Sequence, residues 1–261
     1  MQYTLEEVKQ SIPEGKKRED ALWTKYVIRP LSYYGTVLLL NLKITPNTVS
    51  VAAVLDVLAG FILMCIDNRT CLIWGVILMN LFLYLDCLDG NMARTKKQSS
   101  YMGEFFDAVG GYTICALSLI ATGVAAYYTT EILPQQYKYL LVLMGALGSV
   151  ADIFSRLIYQ KYMNNYFMAE FKRGQMVIKR ENDVFYEKNV NRKSLTYIRL
   201  KIDRELGVGG SFEILMLVFA VIGLLDVFTI LYSLYHIVGL FGVMVLYMVK
   251  AVTYEKNNKK Q

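Results

Sequence analysis

The chain is divided into apolar blocks, each about the twenty residues that a bilayer crossing requires, and short polar stretches between them carry most of its charge. The blocks cover roughly residues 47–66, 71–89, 104–128, 139–160, 210–230 and 231–252. Only helices or closed barrels can satisfy their backbone hydrogen bonds in lipid, and blocks of this length suit helices. The expectation is an all-α integral membrane protein with six transmembrane helices. A hydrophobic share of 55% in 261 residues agrees with that, being high for a soluble domain. The first 45 residues are polar and charged with no apolar h-region, so no cleavable signal peptide is expected and insertion rests on the spans themselves.

The net charge of +6 could point to nucleic acid, but its placement argues otherwise. Basic residues collect in the amino-terminal segment, the 91–102 loop, the 161–209 segment and the carboxyl tail, which all fall on one side of a six-span chain. The opposite loops carry only Arg69 and Lys138. By the positive-inside rule both termini are expected in the cytoplasm, and no nucleic-acid partner is expected. The polar segment 161–209 has too few apolar residues for a core of its own and reads as a helical cytoplasmic excursion. Cys65, Cys71, Cys87 and Cys115 lie in or beside apolar runs without zinc-ligand spacing, and His236 is the one histidine. They read as small packing residues rather than ligands or disulfides.

Two regions follow. Residues 1–45 form an amino-terminal segment, in which 21–40 mixes aromatic and aliphatic residues with Lys25 and Arg29. That mixture predicts an amphipathic helix lying along the membrane interface, bent at Arg29-Pro30, while residues 1–20 read as a solvated tail. Residues 46–261 form the six-span membrane domain, entered through Thr45-Pro46-Asn47-Thr48-Val49-Ser50, where Pro46 beside capping-type residues starts the first helix.

The chemistry-bearing stretch is Asp86-Cys87-Leu88-Asp89-Gly90-Asn91-Met92-Ala93-Arg94, followed by Gly103-Glu104-Phe105-Phe106-Asp107. Asp86 and Asp89 share one helix face, and Asp107 opens the next apolar run. Carboxylates at the ends of spans are costly and mark a functional site by default. Their oxygens suit hard cations such as Mg²⁺ or Mn²⁺, which in turn suit phosphates.

The pattern D-x2-D-G-x2-A-R-x8-G-x3-D resembles the signature of the CDP-alcohol phosphotransferases, membrane enzymes of phospholipid synthesis. Asp86, Asp89, Gly90, Ala93, Arg94, Gly103 and Asp107 match it at the family's spacing, and the Thr45–Ser50 entry resembles that of the family's first span. The resemblance implies a CDP-linked donor, a lipid or small alcohol acceptor, release of CMP and one or two divalent metals on Asp86, Asp89 and Asp107. It implies that Gly90, Ala93 and Gly103 stay small for close approach, that Arg94 meets phosphate, that Asn47 lies near the nucleotide, and that the protein forms a homodimer. Arg156, spaced to pair with Asp152, is a candidate for the acceptor side, as are Asp152 and Glu213. Asp56 in the first span is expected to face the bundle interior or a water-filled cavity.

The family's signature ends on a fourth aspartate, and here Gly111 stands in its place. That aspartate completes the metal cluster and takes the proton of the acceptor hydroxyl in the family. Three readings stay open. Glu104 or Asp107 serves as the base, or the acceptor arrives already activated, or the chain is an impaired relative that binds CDP-linked ligands without efficient turnover. A small transporter with internal charges is a further class, but no inverted repeat supports it.

Overall fold

The computed structural model describes residues 3–98, 100–172 and 195–258. Their regular structure is all helix, with no strand among them. Helices α1 (Leu5–Ser11) and α2 (Glu14–Glu19) lead to a π turn at Thr24–Ile28 that runs directly into α3 (Arg29–Asn41). Then come α4 (Pro46–Met64), α5 (Arg69–Thr95), α6 (Tyr101–Thr129), α7 (Tyr139–Lys172), α8 (Leu195–Leu206), α9 (Phe212–Ile222) and α10 (Leu225–Asn258).

Five of these, α4, α5, α6, α7 and α10, are long and apolar enough to cross a membrane. Three of them start on a side chain that caps unpaired amides. Thr45 accepts from the Thr48 amide with Pro46 in the first turn, Asn68 accepts from the Thr70 and Cys71 amides, and Ser100 accepts from Gly103. Outside the core, Leu55, Trp74, Leu143, Val238 and Phe241 face outward, as lipid-facing residues do. The molecule is an integral, multi-pass membrane protein.

Small residues set the helix spacing. A Cβ on Gly75 would lie 2.7 Å from the Gly60 carbonyl oxygen, and one on Gly123 would lie 2.6 Å from that of Leu141. Only glycine lets α4 meet α5, and α6 meet α7, at backbone contact. The main core joins α4, α5, α6, α9 and the start of α10 through residues such as Val57, Met79, Ile114, Met216 and Phe228.

The helix boundaries differ from the sequence reading in three places. The apolar run 210–252 is divided at Gly223, whose φ of +84° ends α9, and not near residue 230. Glycine reaches that left-handed conformation without a Cβ penalty, and nothing near residue 230 breaks the helix. As a result α9 has 11 residues and is about 16 Å long, short of a bilayer core. Gly209, in the turn before it, lies beside Leu83, and the carbonyl of Val221 near its end accepts from Arg69 at 2.7 Å. Second, α5 carries on past Asp89 to Thr95, so half of the expected 91–102 loop is helix. Third, the 161–209 excursion is the end of α7 plus α8 and a connector, while residues 173–194 lie outside the described residues.

The amino-terminal segment also departs from expectation. Residues 3–12 are docked, not solvated: Val8 and Ile12 are buried, and Val8 packs with Leu40, Leu88 and Met92. Val8 and Ile12 are one turn apart and so share a face, a pattern too short to stand out in the sequence. Pro30 does not break the helix. The turn before it widens to π spacing, with the Arg29 amide reaching the Thr24 carbonyl. A wider turn accommodates a ring that would otherwise strike the preceding turn.

Arg29 is the anchor of this segment. It is 4% exposed and holds Asp20 through two hydrogen bonds of 2.8 and 2.7 Å. Burial works against its charge, but the hydrogen bond and charge of Asp20 keep the guanidinium above its ordinary value. Removing one member would strand the other charge. Arg29→Ala is therefore expected to cost about 3–5 kcal/mol, read as a lower thermal midpoint of the detergent-solubilised protein. An unchanged midpoint would refute this role.

Candidate functional site

The motif carboxylates come together where the end of α5 meets the starts of α4 and α6. A cavity of about 520 Å³ opens there. Asp86, Asp89, Gly90, Ala93 and Arg94 line it from α5, Gly103, Glu104 and Asp107 from α6, and Asn47 and Ser50 from α4. These helices run past one another in alternating directions, which is why residues far apart in sequence share one end of the bundle.

Asp89 is nearly buried, and the Ser50 hydroxyl donates to it at 2.5 Å. The Asp86 carboxyl faces those of Asp107 and Asp89. Around the mouth, the Ser100 hydroxyl donates to the Asn47 side chain at 3.3 Å and accepts from the Gly103 amide at 2.9 Å. This ties the starts of α4 and α6. A Cβ on Gly103 would stand 3.1 Å from Ser100 Oγ and 3.2 Å from Asn47 Oδ1, so a side chain there would push the tie apart by a few tenths of an ångström. Gly90 works differently, because a Cβ there would lie 3.0 Å from a guanidinium nitrogen of Arg94. The bare position gives Arg94 room to fold back along its own helix.

Arg94 does not stand alone. Its Nη1 donates to Asn91 Oδ1 at 3.3 Å, Arg29 Nη1 donates to the same oxygen at 3.0 Å, and the Asn91 amide nitrogen donates to Ser32 at 2.9 Å. Asn91 is fully buried. It links the motif helix to α3, a role that its position inside the motif hints at but that only the packing reveals.

Arg156 does not join this cavity. It lines a neighbouring one of about 330 Å³ between α7, α8 and α10, and its Nε donates to Asp152 at 3.0 Å. His236 Nδ1 lies 3.6 Å from the same Asp152 oxygen, and the Tyr235 hydroxyl donates to Asp203 at 2.7 Å. Arg204 and Val208 line both cavities, so the two adjoin. Arg204 was not foreseen; in the sequence it is one basic residue among many in a polar stretch.

Glu213 is buried at the start of α9 and accepts from the Gly209 amide at 3.0 Å, so it shapes the α8–α9 connector rather than standing at the interface. Asp56 is half-buried with one carboxylate oxygen unpartnered. All four cysteines are free, with Cys87 and Cys115 buried. At Gly111 a Cβ would meet nothing within 4 Å. The position is open and accepts a side chain.

The donor set fits a hard divalent cation in kind, being carboxylate oxygens on a polar cavity wall. Three carboxyl groups facing one another also repel unless a cation or a proton intervenes. Among the described residues no three acidic, histidine or cysteine side chains are drawn together as a ready ligand set. Binding would have to swing the carboxylates toward a common centre.

Residues 43–176, just over half of the chain, match the sequence model of the CDP-alcohol phosphatidyltransferase family. A phosphatidylinositol phosphate synthase of Streptomyces avermitilis is 29% identical over 114 residues, which is 35% of this chain and 46% of that protein. The match thus spans less than half of that relative.

Proposed function

The chain belongs to the CDP-alcohol phosphatidyltransferase family, and we propose that it transfers a phospho-alcohol or phosphatidyl group from a CDP-activated donor to an alcohol acceptor, releasing CMP, in phospholipid or related envelope synthesis. The observation that carries this reading is the cavity in which Asp86, Asp89 and Asp107 meet Asn47, Arg94 and the bare positions Gly90 and Gly103.

In this reading Asp86, Asp89 and Asp107 hold Mg²⁺ or Mn²⁺, with Ser50 fixing Asp89. Such a metal, once bound, neutralises diphosphate charge and steadies the leaving CMP. Arg94, oriented by Asn91, donates to a phosphate oxygen. The acceptor approaches from the adjoining cavity, where Arg156 and Arg204 suit an anionic alcohol. Its oxygen bonds to the phosphorus distal to cytidine, and the bond from that phosphorus to the bridging oxygen breaks, leaving its electrons on CMP. Glu104, in the first turn of α6 and on the cavity wall, is the group to which we assign the hydroxyl proton. With a phosphatidylinositol phosphate synthase among the relatives, an alcohol bearing a phosphate is the first acceptor to try.

Six crossings suit this chemistry best. The short α9, together with the connector before it, would make the fifth. Both termini and the cavity would then face the cytoplasm, with the amino-terminal helices along the interface.

The test is CMP release from CDP-diacylglycerol and soluble CDP-alcohols by protein in nanodiscs, with a panel of plain and phosphorylated alcohols. Release is expected with Mg²⁺ or Mn²⁺ and is expected to vanish with a chelator. Release that persists in chelator would remove the metal from the reading. A second reading, binding without efficient turnover, is favoured by the bare Gly111 and predicts CDP binding with no CMP formed.

A further inference from the structure

The donor cavity has a wall that the family match does not include. Residues 43–176 carry the match, yet Lys16, Asp20, Ala21, Thr24 and Arg29 line the cavity from before it. This stretch is fixed at both ends. On one side Asp20 is held by Arg29, which also reaches Asn91 on the motif helix. On the other, the Leu22 amide donates to Glu205 at 2.9 Å and the Thr24 hydroxyl donates to the Gly209 carbonyl at 2.5 Å. The segment therefore bridges the cavity from α3 and α5 to the α8–α9 connector.

Lys16 is the cation that this bridge carries. It lines the cavity with Asp86 and Arg94, near enough for its charge to bear on Asp86 and Cys87. Its ammonium has no hydrogen-bond or ion-pair partner among the described residues, whereas that of Lys17 beside it is paired with Glu14 at 2.8 Å. Of the other cations on the wall, Arg29 is neutralised by Asp20, Arg94 leans on Asn91, and Arg204 lies 3.7 Å from the Glu205 carboxylate. A diphosphate brings more negative charge than one guanidinium offsets, and a flexible ammonium is suited to meet it as a point charge.

We propose that Lys16 is a donor-binding residue that grips the diphosphate of the CDP-linked substrate, and that the Leu22–Glu205 and Thr24–Gly209 hydrogen bonds position it over the cavity. This rests on the transferase reading above and adds to it a phosphate ligand from outside the motif helices.

The test is CDP affinity, measured by titration calorimetry on the full-length protein in nanodiscs with Mg²⁺. Lys16→Ala is expected to weaken CDP binding about tenfold, the size of one charge-assisted hydrogen bond. Lys16→Arg is expected to retain most of it, and Lys17→Ala all of it. Thr24→Val is expected to weaken CDP about threefold in the wild type, yet to add nothing in the Lys16→Ala background, because the two act through one contact. A purely structural effect of Thr24 would add in both backgrounds, which would overturn the positioning claim. Equal CDP affinity in Lys16→Ala and Lys17→Ala would overturn the proposal while leaving the transferase reading in place. A monodisperse wild-type protein that binds no CDP would bring down both.

Discussion

Asp86→Asn is expected to lower CMP release by at least about 10³-fold while leaving the protein as stable as before, or more so. The two halves of this prediction have one cause. The Asp86 carboxyl faces Asp107 and Asp89, so the folded protein without metal crowds three acidic groups that cannot all ionise freely. Asparagine keeps the shape of the side chain and removes one acidic group from that crowd, which relieves the cost of holding it there. The same change removes an anionic oxygen from the proposed metal site and weakens the grip on the diphosphate. An ordinary packing residue behaves in the opposite way, losing stability first and activity as a consequence. CMP release and the thermal midpoint, measured on the same preparation without and with Mg²⁺, separate the cases. The wild type is expected to gain more from Mg²⁺ than the variant does, since a cation that binds only the folded state stabilises it. Turnover within tenfold of wild type, or a lowered midpoint in chelator, would mean that Asp86 is not a metal ligand.

What the sequence made legible follows from what kind of signal each feature leaves. The spans α4 to α7 are separated by polar, capping or proline-containing stretches, and their positions were readable to within a few residues in most cases. Asp86, Asp89 and Asp107 could be placed at one end of the bundle because two helices joined by a short connector must bring their facing ends together. The division between α9 and α10 was not readable, because the apolar run from Phe212 to Val252 offers several glycines, and only packing selects Gly223 for the left-handed turn. The docking of Val8 was hidden for a different reason: seven residues with one buried face look like a polar tail. Least legible was the set Asp20, Arg29, Ser32, Asn91 and Arg94, whose members come from three elements. Arg94 stands out in one dimension as a motif residue, but nothing there ties it to the other four. Buried together they must satisfy one another, and that mutual satisfaction exists only in the fold.

Gly111→Asp is expected to raise the rate of CMP release about 100-fold with a neutral alcohol acceptor, the lower range of what a positioned general base contributes. Residue 111 lies one helical turn beyond Asp107 on α6, so a carboxylate there joins the face that already carries the acidic cluster. The space is present, since a Cβ at Gly111 meets no atom within 4 Å. Helix propensity does not oppose the change either, as glycine is the poorer of the two residues inside a helix. The effect should depend on the acceptor. A hydroxyl that must be deprotonated by the protein gains most, whereas an acceptor activated before it binds gains little. Comparing the ratio of variant to wild-type rates across acceptors therefore measures how much of the proton transfer the natural chain leaves undone. In the mechanism proposed above that transfer falls to Glu104, two turns nearer the start of α6 than residue 111. Glu104→Gln should accordingly slow the wild type strongly and the Gly111→Asp variant much less. If Glu104→Gln slows both equally, Glu104 is not the base that the substituted aspartate replaces. If Gly111→Asp leaves the rate unchanged with every acceptor, proton removal does not limit this enzyme, and the glycine is a neutral departure from its family.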